Sequence, residues 1–264
     1  MKLLAAATFL SATFLFSTDA EPTTLKTKFS TDNTTSEVAP PETPDNAVPE
    51  LTWEEEINLL YDAFSKANES EMPSIDSFAD GIKGYEQLRE NGELKKELLT
   101  LIDFSLPSTE KRLWVLDMEN NEVLFHTYVS HGRNTGGKMA TKFSNENESF
   151  QSSLGFYVTA ETYYGKNGLS LFLDGKEEGF NDNARSRYVV MHGADYSNPD
   201  FITRTGRLGR SLGCPAVPEA EAKDIIGTIK GKSVLFIYHT DPVYQEHSDF
   251  LNADFSGIAA NLQD

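Results

Sequence analysis

One side chain in this sequence is chemically singular: Cys214 is the only cysteine among 264 residues. It cannot form an internal disulfide, so it is an intermolecular bridge, an inert buried thiol or a reactive one. Its surroundings read Gly206-Arg207-Leu208-Gly209-Arg210-Ser211-Leu212-Gly213-Cys214-Pro215. Glycines at 206, 209 and 213 let the backbone turn tightly and approach a ligand closely. Gly213 beside the thiol would leave successive backbone N–H groups free to face a developing oxyanion. Arg204, Arg207 and Arg210 stand in an acid-free stretch of an acidic chain. Such a positive field favours thiolate over thiol and suits a substrate carboxylate. The alternative is a buried thiol in a glycine-rich loop with solvated arginines.

A thiol nucleophile needs a base, and five histidines are available: His126, His131, His192, His239 and His247. His192 ends the apolar run Tyr188-Val189-Val190-Met191 and precedes Gly193, so it is expected to project from a strand end, where rigid sheets display reactive groups. His131, also followed by glycine, is its rival. His126 alternates within a strand and reads as a packed or surface residue, and His239 and His247 lie near the C-terminus. No two histidines share a ligand-like spacing on one helix, so no metal site is expected.

These groups need elements to position them. Thr52 and Glu55 form a capping-box pattern ahead of Ile57, Leu59, Leu60 and Phe64 at helical spacing. Phe78, Ile82, Tyr85 and Leu88 mark a second helix that Asn91-Gly92 would stop. A third, short helix is expected over Glu93–Ile102. From Lys111 the period becomes that of strands. Arg112–Met118 and Val123–Val129 flank Glu-Asn-Asn-Glu as a hairpin, followed by strand-like runs at Gly155–Tyr164, Ser170–Leu173, Tyr188–His192 and Ser233–His239. Pro218–Ile229 reads as a helix with Ile225, Ile226 and Ile229 on its apolar side. The expected fold is mainly β, a sandwich or barrel with one or two helices, preceded by a small helical region.

Composition sets the boundaries. At 39% hydrophobic and 11% aromatic, the chain can bury a substantial core. Residues 1–20 join Lys2, an uncharged apolar run and Thr18-Asp19-Ala20, the pattern of a cleaved export signal too short to serve as a membrane anchor. Residues 21–50, rich in Thr, Pro and acids, read as a flexible linker. The helical region then takes 51–105, the catalytic domain 106–240 and a C-terminal tail 241–264. The formal charge of -18 argues against nucleic acid and anionic membrane surfaces as partners.

The motifs are more specific than their chemistry. His192-Gly193 followed by Ser211-x-Gly213-Cys214 resembles the L,D-transpeptidase (YkuD-type) signature. SHGRNTGG (130–137), SSLGFYVT (152–159), EGFNDNARSR (178–187), MHGADY (191–196) and GRLGRSLGCPAVP (206–218) resemble its murein L,D-transpeptidase branch, from about Pro107 to Tyr238. The resemblance implies a YkuD-like β-sandwich or barrel, with Cys214 as acyl-accepting nucleophile and His192 as base. It further implies a Gly193 carbonyl that orients the imidazole, and oxyanion donors at the Gly213 and Cys214 amides beside Ser211. The implied partners are peptidoglycan stem peptides, with no cofactor and no metal. Arg187, Arg204, Arg207 and Arg210 are candidates for gripping stem-peptide carboxylates. Tyr157, Tyr163 and Tyr164 are candidates for lining the cleft, or packing residues. The chain departs from the commoner family pattern at Leu212, where His is usual, and at Pro215, where Arg is frequent.

Overall fold

Thr52 opens the first helix with the reciprocal cap its spacing predicts. Its hydroxyl accepts the Glu55 N–H, and the Glu55 carboxylate takes the Thr52 N–H in return. Helix α1 (Trp53–Ala67) then buries Ile57, Leu60 and Phe64. Leu59, grouped with them by spacing, is 53% exposed, because a step of two residues turns it off that face. Helix α2 (Ile75–Glu90) buries Phe78, Ile82, Tyr85 and Leu88, and stops at Asn91-Gly92. This computed structural model describes residues 51–253. The expected signal (1–20), the linker (21–50) and the tail beyond Ala253 lie outside them.

The third expected helix is not formed. Leu98–Asp103 is strand β1, buried along its whole length. It runs antiparallel to β2 (Leu113–Asp117) and parallel to β8 (Val234–Tyr238). A strand covered on both faces reads as a continuous apolar run, and periodicity cannot separate that from a short buried helix.

The remaining strands are β3 (Glu122–Thr127), β4 (Gly155–Gly165), β5 (Gly168–Gly175), β6 (Val190–Ala194) and β7 (Ala216–Pro218). One sheet takes them in the order β3-β2-β1-β8-β4-β5-β6-β7. Its two edges meet just beyond β3, where the Ser130 N–H donates to the Ala216 carbonyl at 2.8 Å and the Ala216 N–H donates back at 3.3 Å. The result is an almost closed barrel, as a mainly β chain with helical additions should build.

Helices cover the sheet from outside. Short α3 (Pro199–Thr205) precedes the cysteine loop, and α4 (Glu219–Ile229) buries Ala222, Ile225, Ile226 and Ile229. Helix α2 lies against β1, β8 and β4, so this part of the helical region is a cover. The closest approach is at Gly84, where an added Cβ would run into the Phe156 ring, itself stacked on Phe236 at 4.0 Å. Gly84→Ala is therefore expected to lower unfolding stability by about 1–3 kcal/mol, read as a shifted urea midpoint. An unchanged midpoint would mean that α2 does not seat there.

The first part of the expected tail is built into the core. Helices α5 (Pro242–His247) and α6 (Asp249–Asn252) bury Tyr244 and Leu251. Tyr244 and Ser248 donate hydroxyl hydrogen bonds to the buried Glu177 carboxylate, which also accepts the Phe156 N–H at 2.6 Å. Burial raises the Glu177 carboxyl above its ordinary range, and these donors oppose that rise. Among the described residues no helix is long and apolar enough to cross a membrane.

Candidate active site

Parallel pairing of β6 with β7 aligns His192 with Ala216, two residues past Cys214. Both side chains line one cavity of about 510 Å³. The imidazole was expected at a strand end, yet His192 is the central residue of β6, which continues to Ala194. Its Nδ1 lies 2.9 Å from the Gly193 carbonyl. A carbonyl only accepts, so Nδ1 carries the proton and Nε2 is left with a lone pair.

The cysteine loop is held by serines. Ser211 Oγ accepts the Gly213 N–H at 3.1 Å and donates to the Cys214 carbonyl at 2.6 Å. Ser152 Oγ donates to the Gly213 carbonyl at 3.0 Å and accepts the Gly132 N–H. Gly213 has φ 122°, and a Cβ there would stand 2.8 Å from the Gln151 carbonyl, so only glycine fits. The Gly213 amide is therefore not a free oxyanion donor; it is committed to Ser211, which acts as an organiser of the turn.

The sulfur itself sits between two backbone groups. The Cys214 thiol donates to the Tyr188 carbonyl at 3.5 Å, and Sγ accepts the Val190 N–H at 3.5 Å. Burial pushes the thiol above its ordinary range, while the Val190 amide, the Arg187 charge and its own amide pull it down. Burial also pushes the His192 imidazole down, with the Gly193 carbonyl opposing. Both shifts favour the uncharged forms, thiol and imidazole. The charge that acts on the thiol is that of Arg187, not of the flanking Arg204, Arg207 and Arg210, and desolvation outweighs it.

Those arginines have separate places. Arg204 lies along α3 over the Phe201 ring, and Arg207 donates to the Leu208 carbonyl at 2.6 Å; neither lines the cavity. Arg210 does line it, with Nη1 on the Arg133 and Gly136 carbonyls. Arg187 lines it too, but its terminal nitrogens are engaged by residues 144–153. Tyr157 cannot line a cleft: it is fully buried in β4, its hydroxyl donating to the Ser153 carbonyl at 3.0 Å. Tyr163 does reach the cavity, whereas Tyr164 is 83% exposed.

The lining residues that spacing did not single out include Glu148, Phe150, Lys166, Tyr188 and Tyr196. Of these, Tyr188 left a usable trace. It directly precedes the apolar strand carrying His192, yet turns to φ 55° and is 67% exposed. A bulky residue in that backbone region signals local strain.

The rival histidine is structural. Arg112 Nη2 donates to His131 Nδ1 at 2.9 Å, and His131 Nε2 donates to the Gly137 carbonyl at 3.2 Å. Both ring nitrogens are occupied inside the protein. Burial, with Arg112 adding repulsion, lowers the His131 pKa to about 3. An unfolded histidine binds its proton near pH 6.5, so His131 contributes stability above that value and loses it as pH falls toward 3. Unfolding stability is expected to drop below pH 6.5 by up to about 1.4 kcal/mol per pH unit from this group, and the slope should flatten in His131→Gln. Identical slopes in the two proteins would count against the buried neutral imidazole.

Solved structures match part of the chain. An L,D-transpeptidase from Mycobacterium smegmatis is 13% identical, covering 54% of this chain and 59% of that one, with a TM-score of 0.34. One from Mycobacterium tuberculosis H37Rv is 10% identical, covering 54% and 58%, with a TM-score of 0.36. One from Xylanimonas cellulosilytica DSM 15894 is 11% identical, covering 70% and 93%, with a TM-score of 0.31. The chain thus spans about six tenths of the two mycobacterial structures. A search of curated proteins finds no match. The sequence profile of the YkuD-type L,D-transpeptidase catalytic domain, by contrast, matches residues 63–238, a span that holds the whole barrel and both Cys214 and His192. On that match the chain belongs to the L,D-transpeptidase catalytic domain family.

Proposed function

We propose that this protein is an exported peptidoglycan L,D-transpeptidase that works through Cys214. The observation that carries the reading is a thiol and an imidazole facing one cavity, with Nδ1 fixed by Gly193 so that Nε2 is the basic atom. Substrate entry displaces the thiol from the Tyr188 carbonyl, and His192 Nε2 takes its proton. Sγ then attacks the carbonyl of the diamino acid at position three of a stem tetrapeptide. The oxyanion is assigned to the Cys214 N–H, since the Gly213 N–H serves Ser211. Collapse breaks the bond to D-Ala, whose nitrogen takes the proton from His192, leaving a thioester.

An amine from a second stem peptide attacks the thioester, gives its proton to His192 and restores the thiol. The product is a 3→3 cross-link; water in place of the amine yields a trimmed tripeptide. Cations at the cavity wall, Lys166 and Arg210, suit the donor's carboxylates, and Glu148 suits an incoming ammonium. Residues 1–20 as an export signal and 21–50 as a tether would bring the domain to a cell-wall substrate.

Purified muropeptide tetrapeptides incubated with the protein and analysed by mass spectrometry test this directly. Expected are a cross-linked dimer, free D-Ala and an acyl adduct on Cys214. A reaction yielding none of the three ends the proposal.

A further inference from the structure

A strap of chain, residues 144–153, contributes to the wall of the cavity and holds two of its lining residues, Glu148 and Phe150, at φ 57° and 53°. Neither is glycine, so the strap is in a backbone state that persists only where its surroundings impose it. One group imposes much of it. Arg187 Nη1 donates to the Ser144 carbonyl at 2.8 Å and to Ser153 Oγ at 2.6 Å. Its Nη2 donates to Ser149 Oγ at 3.1 Å and to the Gln151 carbonyl at 2.9 Å.

The same guanidinium lies against the cysteine loop. Nη2 is 3.7 Å from where a Cβ on Gly213 would stand, and the next residue along the chain, Tyr188, offers the carbonyl that holds the Cys214 thiol. All four acceptors of Arg187 are neutral, and among the described residues no carboxylate pairs with it. A half-buried, uncompensated cation projects its field onto whatever negative charge forms nearby, here the thiolate. Arg185, two residues earlier, has a different situation: it is exposed and neutralised by Glu161 and Asp174.

We propose that Arg187 is a positioning residue of this site, clasping the 144–153 strap onto the cysteine loop while supplying the positive charge that faces Cys214. This replaces the expected role of gripping substrate. It rests on Cys214 being the reactive group, and its two parts separate by chemistry. A lysine keeps the charge but cannot serve four acceptors in a planar fork, whereas methionine removes both.

The test is the pH profile of Cys214 alkylation by iodoacetamide, with amide hydrogen exchange across 144–153. In Arg187→Met the alkylation midpoint is expected to rise by about one pH unit and strap exchange to quicken. In Arg187→Lys the midpoint returns to the wild-type value while exchange stays fast. The double variant Ser149→Ala, Ser153→Ala, which leaves Arg187 in place, should quicken exchange without moving the midpoint. It also carries the clasp test, and Arg187→Gln the field test, should Arg187→Met fail to fold. A midpoint unmoved by removal of the charge overturns the field; strap exchange unchanged in Arg187→Lys overturns the clasp. Neither measurement needs a muropeptide, so both stand or fall apart from the transfer reaction itself.

Discussion

Cys214→Ala is expected to abolish acyl transfer, lowering kcat/KM on muropeptides by roughly 10⁴-fold or more, with no adduct on the protein by mass spectrometry. The chain holds no second thiol to take over. The loop should keep its shape, because the bonds that fix it belong to Ser211, Ser152 and the backbone rather than to the sulfur. Folding and activity are therefore separable in this variant: an unchanged unfolding midpoint beside lost transfer is the expected pair. Transfer persisting within tenfold of wild type would remove Cys214 from the mechanism.

His192→Gln is expected to cost about 10²- to 10⁴-fold in kcat, the range that a positioned base contributes. Glutamine can still donate to the Gly193 carbonyl, so the loss would read the missing basic nitrogen rather than a displaced strand. The pH profile sharpens the point. Burial lowers the imidazole below its ordinary range, so it remains unprotonated, and able to accept the thiol proton, further into acid than a free histidine. Wild-type activity should thus hold down to pH values below 6.5 before it falls. The variant's residual rate should instead climb steadily with hydroxide, since the thiol is raised and has no local base. A variant that keeps the wild-type acid limb would assign that limb to another group.

What the chain discloses by itself follows the physics of each feature. The capping box at Thr52 and the hairpin turn, with Asn121 at φ 55°, are local, and both form as spacing indicates. The meeting of Cys214 and His192 in one cavity was legible through a motif that joins distant segments. Strand β1 was not, because LLTLID carries no period that distinguishes double burial from a helix turn. Whether Tyr157 lines the cleft or packs was undecided for a related reason: which face of β4 points inward depends on register with β8, and that register is set by pairing across the sheet. The arginines were the hardest. Arg187 and Arg204 look alike in sequence, and only the route of the 144–153 strap makes one a clasp and leaves the other on the surface.

Strand β8 is the last of the strands in chain order, yet it sits in the middle of the sheet, between β1 and β4. Until residues 234–238 exist, the β1–β3 and β4–β6 halves share no backbone hydrogen bonds through the sheet's middle. Before then β1 and β4 each present an unpaired edge. The barrel can therefore close only as a late step, once β8 is made and fills the gap between β1 and β4. The timing of assembly is written into the order of the strands.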